Sequence, residues 1–151
     1  MNYLKKEDSI QEVSSLNIPD IQQNNFWGMH LIIDMENCDK KLIQDKNNIY
    51  KFSKKLVNTI EMVPFGEPII EYFATDNPKA SGFSLIQLIE TSNICAHFAD
   101  NSQSAFLDVF SCKPFIPDDA IKIAKNFFTP EIINSKVILR GLNHYNKDKI
   151  K

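Results

Sequence analysis

The stretch "FSLIQLIETSNICAHFADNSQSAFLDVFSC", residues 83–112, holds four side chains that could do chemistry together: Ser84, Ser92, His97 and Cys112. A hydroxyl attacks carbonyls, an imidazole carries protons near neutral pH, and a thiol is a nucleophile or proton donor. Each also has a plain reading. A serine at a strand end is commonly a turn residue, a histidine can sit satisfied and half-buried, and most buried thiols are inert. Spacing decides how the four could meet. Strands over 83–89 and 93–98, joined by a hairpin centred between Glu90 and Thr91, put Ser84 opposite His97 on one face. A second hairpin centred near Ser102 puts Cys112 opposite Ser92. Ser92 and His97 are five apart, so a regular strand points them to opposite faces. Bringing them together requires a bend or irregular turn over 90–93.

The elements that must position these residues follow from pattern. A polar leader without clear period occupies 1–24, a single domain spans 25–145, and 146–151 reads as a solvated tail. "WGMHLIIDM", 27–35, reads as a strand. "DKNNIYKFSKKLVNTIEM" reads as a helix with Ile49, Phe52, Leu56 and Ile60 on one face and Asp45 or Asn47 as its cap. "PFGEP", 64–68, is turn chemistry before a strand at 69–74. Strands at 83–89, 93–98 and 105–112 follow on short connections, which predicts antiparallel hairpins. A second helix over 116–128 takes Asp118 as N-cap and buries Ala120, Ile121, Ala124, Phe127 and Phe128. A last strand covers 135–141. The fold class is α+β: an antiparallel sheet with two main helices on one face. The other sheet face needs a cover if it is apolar, which predicts a homodimer built as an αββα sandwich.

Composition excludes several classes. The 151 residues carry a net charge of −2 with both signs mixed, so no basic footprint for nucleic acid is present. No apolar run has the length of a membrane span, and the first residues lack the apolar core of a signal peptide. The three cysteines, Cys38, Cys95 and Cys112, are an odd number without CxxC spacing, which points to a reducing cytoplasm and away from disulfides or a metal site.

Taken together, the four residues resemble the prokaryotic S-adenosylmethionine decarboxylase family of self-processing pyruvoyl enzymes. The resemblance runs from "HLIIDMENCD", 30–39, to "VILRG", 137–141. In that family a processing Ser leads to a Glu-Ser cleavage point, a His-Thr-Trp-Pro-Glu run begins five residues after the cleaved Ser, and Asp-Val-Phe-Thr-Cys ends on a catalytic Cys. Ser84, Ser92, His97 and "DVFSC", 108–112, match without a gap. The resemblance implies self-cleavage between Thr91 and Ser92, with Ser92 converted to a pyruvoyl cofactor whose ketone forms a Schiff base with the substrate amine. It implies His97 as the base of processing, Ser84 as its polar aid and Cys112 as proton donor to the decarboxylated carbon. Two departures stand out. Thr91 replaces the family's Glu before the cleaved serine, with Glu90 one place earlier. "HFADN", 97–101, replaces His-Thr-Trp-Pro-Glu, so Asn101 falls where the family places a Glu associated with the ribose hydroxyls, and Asp100 could take its place only through a one-residue loop shift. Phe73, Phe83 and Phe98 are candidates to stack on adenine. The expected activity is decarboxylation of S-adenosylmethionine for spermidine and polyamine synthesis. The alternatives are a pyruvoyl decarboxylase of ornithine or arginine, and an unprocessed relative acting as a binding subunit.

Overall fold

The computed structural model describes residues 10–13 and 26–141. Its strands are β1 (Ile10–Val13), β2 (Gly28–Glu36), β3 (Pro64–Phe73), β4 (Gly82–Ile89), β5 (Ser92–Ala99), β6 (Ser104–Ser111) and β7 (Ile132–Arg140). Its helices are α1 (Lys40–Ile43), α2 (Lys46–Thr59) and α3 (Pro117–Phe128). The strands form one antiparallel sheet in the order β1-β7-β2-β6-β5-β4-β3. The expected α+β architecture is the one found. Within the stretch expected as a polar leader, Ile10–Val13 pairs with β7 as an edge strand.

Period-two alternation sorts the sheet into two faces. Met29, Leu31, Ile33 and Met35 of β2 are buried toward the helices, as are Ile94, Ala96 and Phe98 of β5 and Leu107 and Val109 of β6. Onto that face α2 lays Ile49, Phe52, Leu56 and Val57, and α3 lays Ala120, Ile123, Ala124 and Phe128. The rings of Phe52, Phe98 and Phe128 meet there, with centroids 4.7 and 4.8 Å from Phe128. Burying each such ring contributes about 1.5–3 kcal/mol.

Helix α2 starts where Asp45 accepts the Asn47 N–H at 2.8 Å, as its sequence predicts. Helix α3 differs: Ile116 is its N-cap, without a side-chain bond, and Pro117 opens the helix. The ring presets φ for the first helical position, and Asp118 and Asp119 lie in the first turn, where they oppose the helix dipole. The predicted turn at 64–68 is instead the first half of β3, with a register shift between Phe65 and Ile69. An edge strand tolerates Pro64, Gly66 and Pro68 because one side of its ladder is unpaired. The short α1 lies between β2 and α2, capped by Asp39.

Candidate active site

The hairpin β4–β5 turns on two residues, Glu90 and Thr91, so the predicted register holds and Ser84 lies opposite His97. Their side chains touch: Ser84 Oγ is 2.8 Å from His97 Nδ1. The other ring nitrogen, Nε2, is 2.9 Å from the carbonyl oxygen of Ala80. A carbonyl only accepts, so Nε2 carries the proton, and in the neutral ring Nδ1 accepts from the Ser84 hydroxyl. The imidazole thus has a fixed tautomer. Both residues are half-buried on the sheet face that the helices leave open.

The loop between β5 and β6 holds four residues, 100–103, and is centred between Asn101 and Ser102. That centre is half a residue earlier than predicted, so the register moves by one. Ser111, not Cys112, lies opposite Ser92. Cys112 comes next, exposed, and its backbone N–H donates to the Thr91 carbonyl oxygen at 3.0 Å. Ser92 itself has φ of 151°, a region nearly reserved for glycine. Such a residue carries strain of about 1–3 kcal/mol. The peptide between Thr91 and Ser92 is therefore held at its carbonyl on one side and strained on the other. Ser92 Oγ accepts from Asn93 Nδ2 at 3.3 Å.

The irregularity at Ser92 does not bring it to His97. From Ser92 to Ala99 strand β5 keeps unbroken register with β6. Five strand steps separate the two residues by about 16 Å. The structure thus holds two pairs, Ser84 with His97 and Ser92 with the Thr91–Cys112 contact, at opposite ends of β5. Ser111 is the residue that sequence reasoning missed. It is wholly buried, and its Oγ lies 2.8 Å from Thr91 Oγ1. A serine in a strand pattern carries no signal of such a role, and the one-residue register error hid it.

The substrate candidates divide. Phe98 is only 1% exposed and packs on Phe128, so it offers no face to an adenine, a correction that follows from its core-facing parity in β5. Phe83 is partly buried with its ring against Tyr72. Phe73 is 55% exposed on the open face. Asp100 does not shift into the place of Asn101. Its N–H bonds to the Ser81 carbonyl and its Oδ2 accepts from Tyr72 at 2.7 Å. That carboxylate contact pushes the Tyr72 phenol up from its ordinary pKa. Asn101 is exposed at the tip of the loop.

Elsewhere on the open face His30 Nε2 lies 2.8 Å from Asp108 Oδ1. Burial, with Asp108 adding to it, raises the Cys95 thiol, and burial alone raises Cys38 to about 11. Among the described residues no cluster of metal-ligating side chains is present. No helix among them is long and apolar enough to cross a membrane.

The model of the family described as S-adenosylmethionine decarboxylase matches residues 29–141. The S-adenosylmethionine decarboxylase proenzyme of Methanococcus vannielii is 28% identical over 116 residues, covering 76% of this chain and 90% of that protein. The proenzyme of the same name from Clostridium botulinum is 26% identical over 117 residues, covering 77% and 96%. The crystal structure of the adenosylmethionine decarboxylase from Aquifex aeolicus shares the fold with a TM-score of 0.67 at 20% identity, covering 78% of this chain and 92% of that one.

Proposed function

The chain belongs to the S-adenosylmethionine decarboxylase family, and from that premise we propose that it is a proenzyme that cuts itself between Thr91 and Ser92 and then decarboxylates S-adenosylmethionine, supplying the aminopropyl donor of spermidine and polyamine synthesis. The observation that carries this reading is the junction itself: a strained Ser92 beside a Thr91 carbonyl that accepts the Cys112 N–H. The Ser92 hydroxyl attacks that carbonyl and converts the amide to an ester. The Cys112 N–H is aimed at the oxygen on which negative charge develops. Moving the acyl group from nitrogen to oxygen also releases the backbone constraint at Ser92. Loss of the Ser92 α-proton then expels the Thr91 carboxylate. The dehydroalanine left behind takes up water and releases ammonia, leaving a pyruvoyl group on residues 92–151. The residues present fit this group, because the serine, the held carbonyl and Cys112 stand at one end of β5. A pyruvoyl group at Ser92 would supply a ketone able to hold the substrate amine and to accept the electron pair left by departing CO₂. Cys112, whose backbone N–H meets the Thr91 carbonyl, is the residue assigned to return a proton to the decarboxylated carbon.

The base for processing is the His97–Ser84 pair, and the distance along β5 means that it comes from a second copy. The open sheet face supports that assembly. Ile69, Phe73, Ile86, Leu88 and Phe106 are each more than two-fifths exposed on it. An antiparallel sheet exposed on one face ordinarily alternates with polar residues there, so an apolar patch marks an interface. Two sheets packed face to face complete an αββα sandwich as a homodimer. Ser84 and His97 lie on the face that this dimer covers, and the proposal assigns them to the cleavage junction of the partner copy.

Substrate choice is tested by CO₂ release from carboxyl-labelled S-adenosylmethionine, ornithine and arginine, offered separately to processed protein. Release from S-adenosylmethionine alone is expected. Release from only the simple amino acids would assign the chain to the sister activities.

A further inference from the structure

We propose that Ser111 and the hydroxyl of Thr91 form a clasp that positions the Thr91 carbonyl for self-cleavage, an inference that rests on the proenzyme reading above. Ser111 is fully buried at the end of β6, directly opposite Ser92. Its Oγ accepts the Lys113 N–H at 3.0 Å, and lies 2.7 Å from the Lys113 carbonyl oxygen and 2.8 Å from Thr91 Oγ1. Thr91 Oγ1 in turn lies 3.3 Å from Met62 Sδ. A serine hydroxyl has one proton to give. If it goes to the Lys113 carbonyl, the Thr91 proton has Ser111 Oγ at 2.8 Å as its best acceptor. If it goes to Thr91, the Thr91 proton goes to the Met62 sulfur. The sulfur, 3.6 Å from Ser111 Oγ as well, is a weak acceptor, so the contact between the two hydroxyls is the stronger one.

Thr91 is thus held twice by consecutive residues. Ser111 fixes its side chain and the Cys112 N–H fixes its carbonyl. A β-branched residue has a stiff χ1, so fixing the hydroxyl also limits how the backbone can turn. With both holds in place the junction cannot relax by rotating the Thr91 carbonyl, and the unfavourable φ stays on Ser92. Removing the side-chain hold lets the carbonyl swing away from the Ser92 hydroxyl. Ser111 and the Thr91 hydroxyl are positioning groups, since they act on the reacting carbonyl through the chain.

The test is the rate at which purified full-length chains convert to two fragments, with wild type measured beside each variant. Thr91→Val keeps the shape and removes the hydroxyl, and is expected to slow cleavage at least tenfold. Thr91→Ser restores the hydroxyl and is expected within about threefold of wild type. Ser111→Ala is expected to match Thr91→Val, and the double variant to be no slower than the slower single, as for two halves of one contact. Thermal unfolding of each variant checks that it is folded. Should Ser111→Ala not fold, the comparison of Thr91→Val with Thr91→Ser decides. Wild-type cleavage with Thr91→Val cutting equally fast would overturn the clasp and leave the proenzyme reading intact. A wild-type chain that never cuts would remove both.

Discussion

Ser92→Ala removes the attacking hydroxyl, so that chain is expected to stay whole on a denaturing gel under conditions where wild type gives two fragments. His97→Ala keeps the proposed nucleophile but removes the proposed base, and should slow processing by about 10²-fold or more. The thiols offer a separate test, because Cys38 is almost wholly buried and its pKa is raised to about 11 from 9.0. The folded chain holds that proton more tightly than the unfolded one. The resulting stability is fully present below pH 9.0 and is lost as pH rises toward 11. Melting temperature followed from pH 8 to 11 should therefore fall more steeply for wild type than for Cys38→Ala; parallel curves would contradict the assignment. At this scale the sequence was readable where a tight loop fixed the geometry. A two-residue turn at Glu90–Thr91 made the Ser84–His97 contact predictable. The longer loop at 100–103 concealed a one-residue shift, and with it the contact between Ser111 and Thr91. Phe98 illustrates the same limit, since strand parity and not ring chemistry decides whether an aromatic is core or site.

The elements that present these residues depend on a few local devices. Gly82 opens β4 with φ of 154°, and a Cβ there would fall 1.6 Å from the Phe98 carbonyl oxygen. Gly82→Ala must move backbone, and should cost about 3 kcal/mol or more in denaturant unfolding. A loss under 1 kcal/mol would show that β4 can shift there freely. Asp45→Ala removes the cap of α2 and should cost about 1 kcal/mol. Both main helices were legible because their apolar residues repeat at steps of three and four. The first half of β3 was not, because Pro64, Gly66 and Pro68 carry the chemistry of a turn and only the edge position makes them compatible with a strand. The four-residue α1 is too short to show a period. For Ile10–Val13, the partner that makes a strand of them lies far along the chain, at Val137–Arg140, and no local pattern reports it.

At the scale of the whole molecule, the proposed base at His97 lies too far from Ser92 to serve its own chain, so the proposal makes processing a property of two copies. Sedimentation should give a dimer at micromolar concentration, and Leu88→Lys, which puts a charge into the open face, should give monomers that stay uncut. Coexpression of Ser92→Ala and His97→Ala chains separates this arrangement from a site within one chain. On the proposed arrangement the intact His97 of one chain in the mixed dimer serves the intact Ser92 of the other, so the His97→Ala chain is expected to be cut and the Ser92→Ala chain is not. A site within one chain would leave both whole. The most direct test of the central claim is the intact mass of the purified wild-type protein. Two polypeptides are expected, residues 1–91 and residues 92–151, the second blocked to N-terminal sequencing by a pyruvoyl group in place of Ser92. A single polypeptide with the full mass of all 151 residues after long incubation would contradict it.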